Sequence, residues 1–292
     1  MGFRRILVAT DFSPRSRRAV ARAAHLARQF GAELRIVHAV PEALLVARLP
    51  GSEESLQAGV VRGTERLMHS TCREVERKFS LSPGHAVIYG RASHAILEAQ
   101  STFDPDLLVI GAKGESNAGP FRSLGGTTLK LLHRCTVPIL LVRLPAESHY
   151  RRVLIGVGDS AVSGNVLTTA RSILDGARCL VVHAFDAPFA ERVRALKISG
   201  TATDTHASGR QAAQQLEALA ERVAAARFDS GCELRVLRGN AQAILLAEIH
   251  HLEPDLIVLG KHEVASANHH QHIGSTVLCV AYGSSCDLLH VP

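Results

Sequence analysis

The stretch Asp104–Val142, DPDLLVIGAKGESNAGPFRSLGGTTLKLLHRCTVPILLV, joins two apolar runs through a glycine-rich segment. The unbroken apolar run Leu107–Ile110 is typical of a strand that is buried on both faces of a parallel sheet. The sequence GGTT at 125–128 then favours the start of a helix. A loop that ends at a helix N-terminus offers free N–H groups to an anion such as phosphate. The same glycines would also serve a tight turn alone, so this stretch leaves the ligand open.

Strand-like and helix-like segments alternate along the first half of the chain. Ser13 and Pro14 predict the start of the first helix, and Gly31 predicts its end. The alternation predicts a parallel sheet with helices on both faces. We expect strands at Arg4–Ala9, Leu34–Val40, Ala86–Tyr89, Leu107–Ile110 and Ile139–Val142, and helices at Pro14–Phe30, Ser52–Phe79 and Ser93–Gln100.

The whole pattern then repeats. GAELRIVHAV from Gly31 returns as GARCLVVHAF from Gly176, and GRASHAILEAQSTFDPDLLVIG from Gly90 returns as GNAQAILLAEIHHLEPDLIVLG from Gly239 without a gap. The repeat predicts an α/β fold of two tandem, doubly wound, five-stranded parallel sheets, Rossmann-like, with strand order 3-2-1-4-5. We place the two domains at residues 1–146 and 147–292, because PAESHY at 145–150 separates two strand-like segments.

Composition excludes several classes of protein. Hydrophobic residues make up 46% of the 292 residues, but no apolar run approaches the roughly 18 residues that cross a bilayer. The apolar segment at the N-terminus is too short for a signal peptide. We therefore expect a cytoplasmic protein with no membrane partner. The six cysteines contain no CxxC pair, so we expect them to be reduced and mainly buried.

The net charge of +6 is unevenly distributed. Residues 1–145 carry 20 Lys and Arg against 12 Asp and Glu, whereas the remainder carries 13 against 15. A basic first half would attract nucleotide phosphates, and we do not expect a nucleic acid partner. Arg15, Arg18 and Arg22 share one helix face, which we interpret as a solvated face.

Strand order determines where a ligand would bind. In an open parallel sheet, ligands bind at the carboxyl ends of the strands, where the strand order reverses. With the order 3-2-1-4-5, this position lies between strands 1 and 4. The Thr10–Asp11 turn would then face the loop after Gly111.

These motifs together resemble the universal stress protein family. The resemblance rests on ATDFS at 9–13, the DPDLLVIG run followed by the spacing Gly111-x-x-Gly114, GGTT, and the closing VPILLV strand. It covers both halves and implies a cytoplasmic stress-response binding or signalling protein. It also implies a ligand, ATP or another adenine nucleotide, with Mg. Carried over by position, the residues near the nucleoside are Ala9, Thr10, Asp11 and Ala39, and those near the ribose and phosphates are Ile110, Gly111, Gly114, Gly125, Gly126 and Thr127.

The chain departs from the family pattern in specific ways. Ten residues separate Gly114 from Gly125, where ATP-binding members have nine, and Gly126 occupies the position of a hydroxyl residue. In the second half Gly158 replaces the first-strand Asp, and Glu263 replaces the second loop glycine. A side chain and a negative charge beside phosphate argue against a triphosphate site there. We therefore expect the adenine nucleotide to bind the first half alone.

The second half also carries a histidine-rich segment. His262, His269, His270 and His272 offer nitrogen ligands to zinc or nickel. No helical H-x-x-x-H spacing arranges them in advance, so a solvated polar loop is the interpretation that we prefer.

No catalytic residue stands out. The chain lacks a G-x-S-x-G elbow, HExxH, a Walker A loop and a paired-carboxylate signature. We therefore favour a binding protein over an enzyme, with at most weak ATPase activity. The alternatives are a slow nucleotide hydrolase or transferase of the adenine-nucleotide α-hydrolase-like group and a structural scaffold that binds no nucleotide.

The last strand of each half is a short apolar edge. An unpaired edge strand of this kind is a liability unless it is paired or covered. We expect Ile139–Val142 and Leu288–Val291 to lie at the contact of an internal pseudo-dimer. The protein partners and a homodimer of the whole chain stay open.

Overall fold

The structure is a computed structural model of the chain. It describes residues 2–42, 53–112, 124–146, 149–158, 162–174, 176–185, 217–226, 228, 232–261 and 274–292. For residues 53–57, 162 and 185 it describes the backbone alone.

The first half alternates strands and helices. Its described elements are β1 (Arg5–Thr10), α1 (Pro14–Phe30), β2 (Glu33–Val40), α2 (Glu53–Phe79), β3 (Gly84–Tyr89), α3 (Ala92–Phe103), β4 (Leu107–Gly111), α4 (Gly126–Arg134) and β5 (Ile139–Val142). The predicted ends of α1 are confirmed. The Ser13 side chain accepts a hydrogen bond from the Ser16 N–H, and Gly31 ends the helix in the left-handed conformation at φ 64°.

The second half repeats this order. Its described elements are β6 (Arg152–Val157), α5 (Val162–Ile173), β7 (Arg178–Phe185), β8 (Cys232–Arg238), α6 (Ala241–Leu252), β9 (Leu256–Gly260), α7 (Ser275–Gly283) and β10 (Asp287–Val291). Residues 217–225 are also helical. Among the described helices, none is long and apolar enough to span a membrane.

The described strands form one sheet in the order β3-β2-β1-β4-β5-β10-β9-β6-β7-β8. Neighbouring strands within each half run parallel, which confirms the predicted fold class. Strands β5 and β10 run antiparallel, with Leu140 opposite Leu289. The two predicted sheets therefore join into one continuous sheet. In it, β5 and β10 each cover the edge that the other would expose. The prediction that the last strands lie at the contact between the halves is confirmed.

Two apolar layers cover the sheet. On β1, Ile6 and Val8 face the layer formed with α1, α2 and α5, while Leu7 faces the layer formed with α3, α4, α6 and α7. All three side chains have an exposed fraction of 0%. Burial on both faces explains why the strands read as continuous apolar runs.

A buried polar cluster lies at the contact between the two halves, around β5 and β10, which we call the seam. The Asp287 carboxylate, at the start of β10, accepts hydrogen bonds from the Arg143 N–H (2.7 Å), the Leu144 N–H (2.9 Å) and the Tyr150 hydroxyl (2.7 Å). The Arg22 Nε atom lies 3.5 Å from the same carboxylate. Arg22 also stacks over the Tyr150 ring at 4.2 Å. Asp287 therefore ties the second half to α1 and to the segment that follows β5.

One expectation was wrong. Arg15 and Arg18 are exposed, as a solvated face requires, but the Arg22 side chain has an exposed fraction of 4%. The physical reason is the buried carboxylate of Asp287, which the sequence of α1 does not reveal. The predicted boundary between residues 146 and 147 adjoins residues 147–148, which lie outside the described residues, and it stays a prediction.

Candidate functional site

A cleft opens in the first half at the carboxyl ends of β1 and β4, where the strand order reverses. Its cavity has a volume of about 160 Å³. It combines a polar turn, an apolar wall and the N-terminus of α4. The lining residues are Ala9, Thr10, Asp11, Ser16, Val37, Ala39, Ala92, Ile96, Ile110, Gly111, Gly125, Gly126, Thr127, Thr128 and Leu131.

The turn after β1 is held by side-chain hydrogen bonds. The Thr10 and Ser16 hydroxyl oxygens lie 3.0 Å apart, and the Phe12 N–H donates to Thr10 Oγ1 at 3.0 Å. The Ser13 N–H donates to Asp11 Oδ1 at 3.1 Å. Phe12 adopts φ 61°, an uncommon value for a residue with a side chain. The hydrogen bonds therefore hold a strained turn, which places Asp11 at the cleft.

His38, near the end of β2, contacts this turn through a hydrogen bond. Its Nδ1 atom lies 2.8 Å from the Thr10 carbonyl oxygen, so Nδ1 carries the proton and donates. Burial lowers the pKa of His38, against the opposite effects of this hydrogen bond and of the Asp11 charge. The imidazole is therefore neutral at neutral pH, and it positions the turn without adding a positive charge.

The opposite side of the cleft is the start of α4. The Gly125 N–H donates to the Ala112 carbonyl at 3.1 Å, which brings the helix start against the end of β4. Gly125 is the N-cap and has no side chain to cap the helix, and the first turn holds no acidic residue. The first N–H groups of α4 and its positive dipole end are therefore suited to an anion.

The wall between these two sides is apolar. Val37 and Ala39 come from β2, Ile96 from α3, Ile110 from β4 and Leu131 from α4. A small residue at Ala39 leaves room beside the strand. A surface of this kind suits a flat, weakly polar group such as a heterocyclic base.

The structure brings together nine of the ten residues predicted from the sequence. Ala9, Thr10, Asp11, Ala39, Ile110, Gly111, Gly125, Gly126 and Thr127 all line the cleft. Gly114 lies outside the described residues. Sequence reasoning missed Ser16, Val37, Ala92, Ile96, Thr128 and Leu131. Ser16 carries a weak signal, because a serine one turn into α1 can reach back to the strand end.

The matching positions of the second half are built differently. Gly158 stands where Asp11 contributes a carboxylate, and Val157 stands where Thr10 contributes a hydroxyl. A Cβ atom added to Gly156, the counterpart of Ala9, would meet Leu259 Cδ2 at 2.5 Å and Leu245 Cδ2 at 3.2 Å. These leucines therefore pack over the backbone of β6 and take space that a side chain occupies in the first half.

A hydrogen bond also links the two helix starts of the second half. Gln242, at the start of α6, donates from Nε2 to Ser275 Oγ at the start of α7, at 3.0 Å. By the repeat, Ser93 and Gly126 stand at the matching positions of the first half. Gly126 has no side chain, so no such hydrogen bond links the starts of α3 and α4.

The histidines considered for a metal site, His262, His269, His270 and His272, lie outside the described residues. Within the part of the chain that is described, no group of three or more His, Cys, Asp or Glu side chains could hold a metal ion.

The model of the universal stress protein family matches residues 2–143 and again residues 149–292. The chain belongs to this family, as a tandem member. Universal stress protein A homolog 1 of Coxiella burnetii is 28% identical over 149 residues, which cover 49% of this chain and 97% of that protein. A universal stress protein of Thermus aquaticus is 32% identical over 142 residues, which cover 48% of this chain and 99% of that protein.

Solved structures of two-half proteins share the fold. A universal stress protein from Archaeoglobus fulgidus superposes with a TM-score of 0.70 at 15% identity, covering 98% of this chain and 97% of that one. A second, a putative universal stress protein from Pseudomonas aeruginosa, gives a TM-score of 0.65 at 17% identity, covering 99% and 93%. At these identities the similarity establishes the fold alone.

Proposed function

We propose that this universal stress protein is a cytoplasmic stress-response binding or signalling protein that holds an adenine nucleotide, such as ATP, in the cleft of its first half. One observation carries the proposal. A carboxylate, an apolar wall and an uncapped helix N-terminus line the same cavity, at the carboxyl ends of β1 and β4 where the strand order reverses. This combination favours nucleotide binding, because the base, the ribose and the phosphates each need one of these three features.

The three parts of the ligand have distinct partners in this proposal. The base packs on the apolar wall beside Ala39. The Asp11 carboxylate accepts hydrogen bonds from the ribose hydroxyls. The phosphates lie against the first N–H groups of α4, at Gly126 and Thr127, where the helix dipole favours negative charge. Mg would bind the phosphates of the bound nucleotide, and it would supply charge neutralisation there.

In this proposal the cleft binds the nucleotide and does not hydrolyse it. Among the residues that line the described cleft, Asp11 is the one with an ionisable side chain, and its Oδ1 oxygen accepts a hydrogen bond from the Ser13 N–H. A carboxylate engaged by the backbone is better suited to hold a hydroxyl group than to act as a general base. Measuring phosphate release by the purified chain tests the hydrolase alternative, which requires turnover that is lost with Asp11→Asn.

We also propose that the second half binds no nucleotide. It lacks the Asp11 carboxylate, and Leu245 and Leu259 pack over Gly156. A ligand that enters there would lose its ribose partner and would have to displace buried side chains. Residues 1–146 and 147–292 are then two domains of one fold with different roles.

A matched pair of variants tests the site. A Cβ atom at Gly126 would meet nothing within 4 Å, so Gly126→Asp fits without a clash. An acidic residue in the first turn is compatible with the helix dipole, but it repels phosphate. We expect nucleotide affinity, measured by titration calorimetry, to fall at least about tenfold, which is about 1.4 kcal/mol.

The control is Ser275→Asp at the equivalent position of the second half. It keeps an acceptor for Gln242 and should leave the affinity unchanged. Wild-type affinity in Gly126→Asp, or an equal loss in Ser275→Asp, contradicts the proposed site.

A further inference from the structure

Two cysteines face each other on neighbouring strands at the far end of the sheet. Cys179 on β7 and Cys232 on β8 are register partners in a parallel pair. Both contact the same apolar layer, in which Cys179 is buried and Cys232 is partly buried. The two thiols therefore point to the same side of the sheet.

This arrangement satisfies the distance requirement of a disulfide. Neighbouring strands lie about 4.8 Å apart, and disulfide-bonded residues usually have Cα atoms about 4.4 to 6.8 Å apart. Each thiol is close enough to shift the pKa of the other. A bond between them would therefore join two residues that are already paired across neighbouring strands.

The two thiols differ in reactivity. The neighbouring Cys179 thiol lowers the pKa of Cys232, and a backbone N–H at Val181 acts in the same direction against the effect of burial. The neighbouring Cys232 thiol and burial raise the pKa of Cys179. Cys232, which is also the more accessible of the two, is therefore the first nucleophile.

We propose that Cys179 and Cys232 form a modification site, a dithiol that a low-molecular-weight disulfide such as glutathione disulfide oxidises to an intramolecular disulfide. The proposal goes beyond nucleotide binding and does not depend on it. Both cysteines lie in the second half, which contributes none of the residues that line the described cleft.

The reaction proceeds in two exchange steps. The Cys232 thiolate attacks one sulfur of glutathione disulfide, a mixed disulfide forms, and one glutathione thiolate leaves and takes a proton. Cys179 then loses its proton and attacks Cys232 Sγ, which releases the second glutathione. The two protein thiols are oxidised by two electrons, and one glutathione disulfide is reduced to two glutathione molecules.

The first half has no such pair at the matching positions. By the repeat, Leu34 stands where Cys179 stands. Arg35 pairs with Gly84, so the residue before Gly84, Pro83, matches Cys232. The dithiol is therefore specific to the second half, and the remaining cysteines serve as internal controls.

Thiol counting on the full chain tests the site. The reduced protein is equilibrated with mixtures of reduced and oxidised glutathione near pH 8, quenched, alkylated and weighed by mass spectrometry. We expect two fewer alkylated thiols than the six of the chain and a Cys179–Cys232 cross-linked peptide after digestion. Cys232→Ser should keep all its remaining thiols free, whereas Cys279→Ser should still form the cross-link.

Three outcomes overturn the proposal: six free thiols at every glutathione ratio, a cross-link between other cysteines, or a stable mixed disulfide at Cys232 that does not close. If Cys232→Ser does not fold, Cys232→Ala and Cys179→Ala with a native circular dichroism spectrum replace it. The wild-type peptide map decides the question even without a variant.

Discussion

His290 is a buried histidine in the central strand β10. Its exposed fraction is 2%, and neither ring nitrogen has a hydrogen-bond partner among the described residues. Burial first, then the positive fields of Lys261 and His133, lower the pKa of His290 to about 4. The folded chain therefore holds this imidazole neutral under conditions in which an unfolded chain would protonate it.

This histidine predicts acid sensitivity. Between about pH 6.5 and pH 4 the unfolded state binds the proton and the folded state does not, so stability falls as pH falls through this window. The loss is about 3 kcal/mol when complete. His290→Leu should remove that part of the pH dependence, as measured by urea unfolding from pH 7.5 to pH 4. Curves of the two proteins that stay parallel across this range would show that His290 is not the cause.

At the scale of the elements, the pairing of β5 with β10 depends on Asp287. This carboxylate has an exposed fraction of 0% and faces Arg22, the Tyr150 hydroxyl and two backbone N–H groups. Burial raises the pKa of Asp287, and its hydrogen bonds and Arg22 act against that rise. The carboxylate is buried at a cost that only its partners offset.

Removing this carboxylate should be severe. Asp287→Ala leaves the Arg22 charge buried without its counter-charge, and we expect the free energy of unfolding to fall by about 3 to 5 kcal/mol. Asp287→Asn should cost less, because its side-chain oxygen still accepts from the backbone N–H groups of Arg143 and Leu144. Guanidinium unfolding of the full chain measures both.

Asp106 offers a matched control. Its carboxylate also accepts from two backbone N–H groups, those of Arg4 (2.7 Å) and Arg5 (3.1 Å), but at a more exposed site. Asp106→Ala should therefore destabilise the chain less than Asp287→Ala. Equal losses at the two positions would mean that the seam contributes nothing special.

Much of each half could be predicted from the sequence, because local rules determine its elements. Strands buried on both faces give apolar runs, and Ser13, Pro14 and Gly31 set the limits of α1. The cleft was also predictable, since its turn follows directly after β1 and the sequence GGTT at 125–128 marks its helix start. Ile96 and Leu131 were not, because a helical apolar residue that lines a cleft has the same pattern as one in the core.

Contacts across the seam could not be predicted in this way. The repeat compares positions within each half, whereas Asp287 acts on Arg22, Arg143 and Tyr150, which lie more than a hundred positions away. Asp287 was visible only as a departure from Pro138, and His290 only as a polar residue in an apolar strand. No periodic signal connects residues at such separations, so their roles follow from the folded chain.

At the scale of the whole molecule, one continuous sheet carries two halves that differ at their matching positions. The first has a polar turn, an apolar wall and an open helix start around one cleft. The second packs leucines over Gly156 and links its two helix starts through Gln242 and Ser275. Two copies of one fold therefore lead us to expect one nucleotide site rather than two.

Native mass spectrometry of the full chain titrated with ATP and Mg counts that site directly. We expect a single nucleotide per chain at saturation, because the first half combines the Asp11 carboxylate with the open start of α4. We also expect Gly126→Asp to lose this nucleotide and Ser275→Asp to retain it. Two nucleotides per chain, or none at millimolar ATP, would contradict the account.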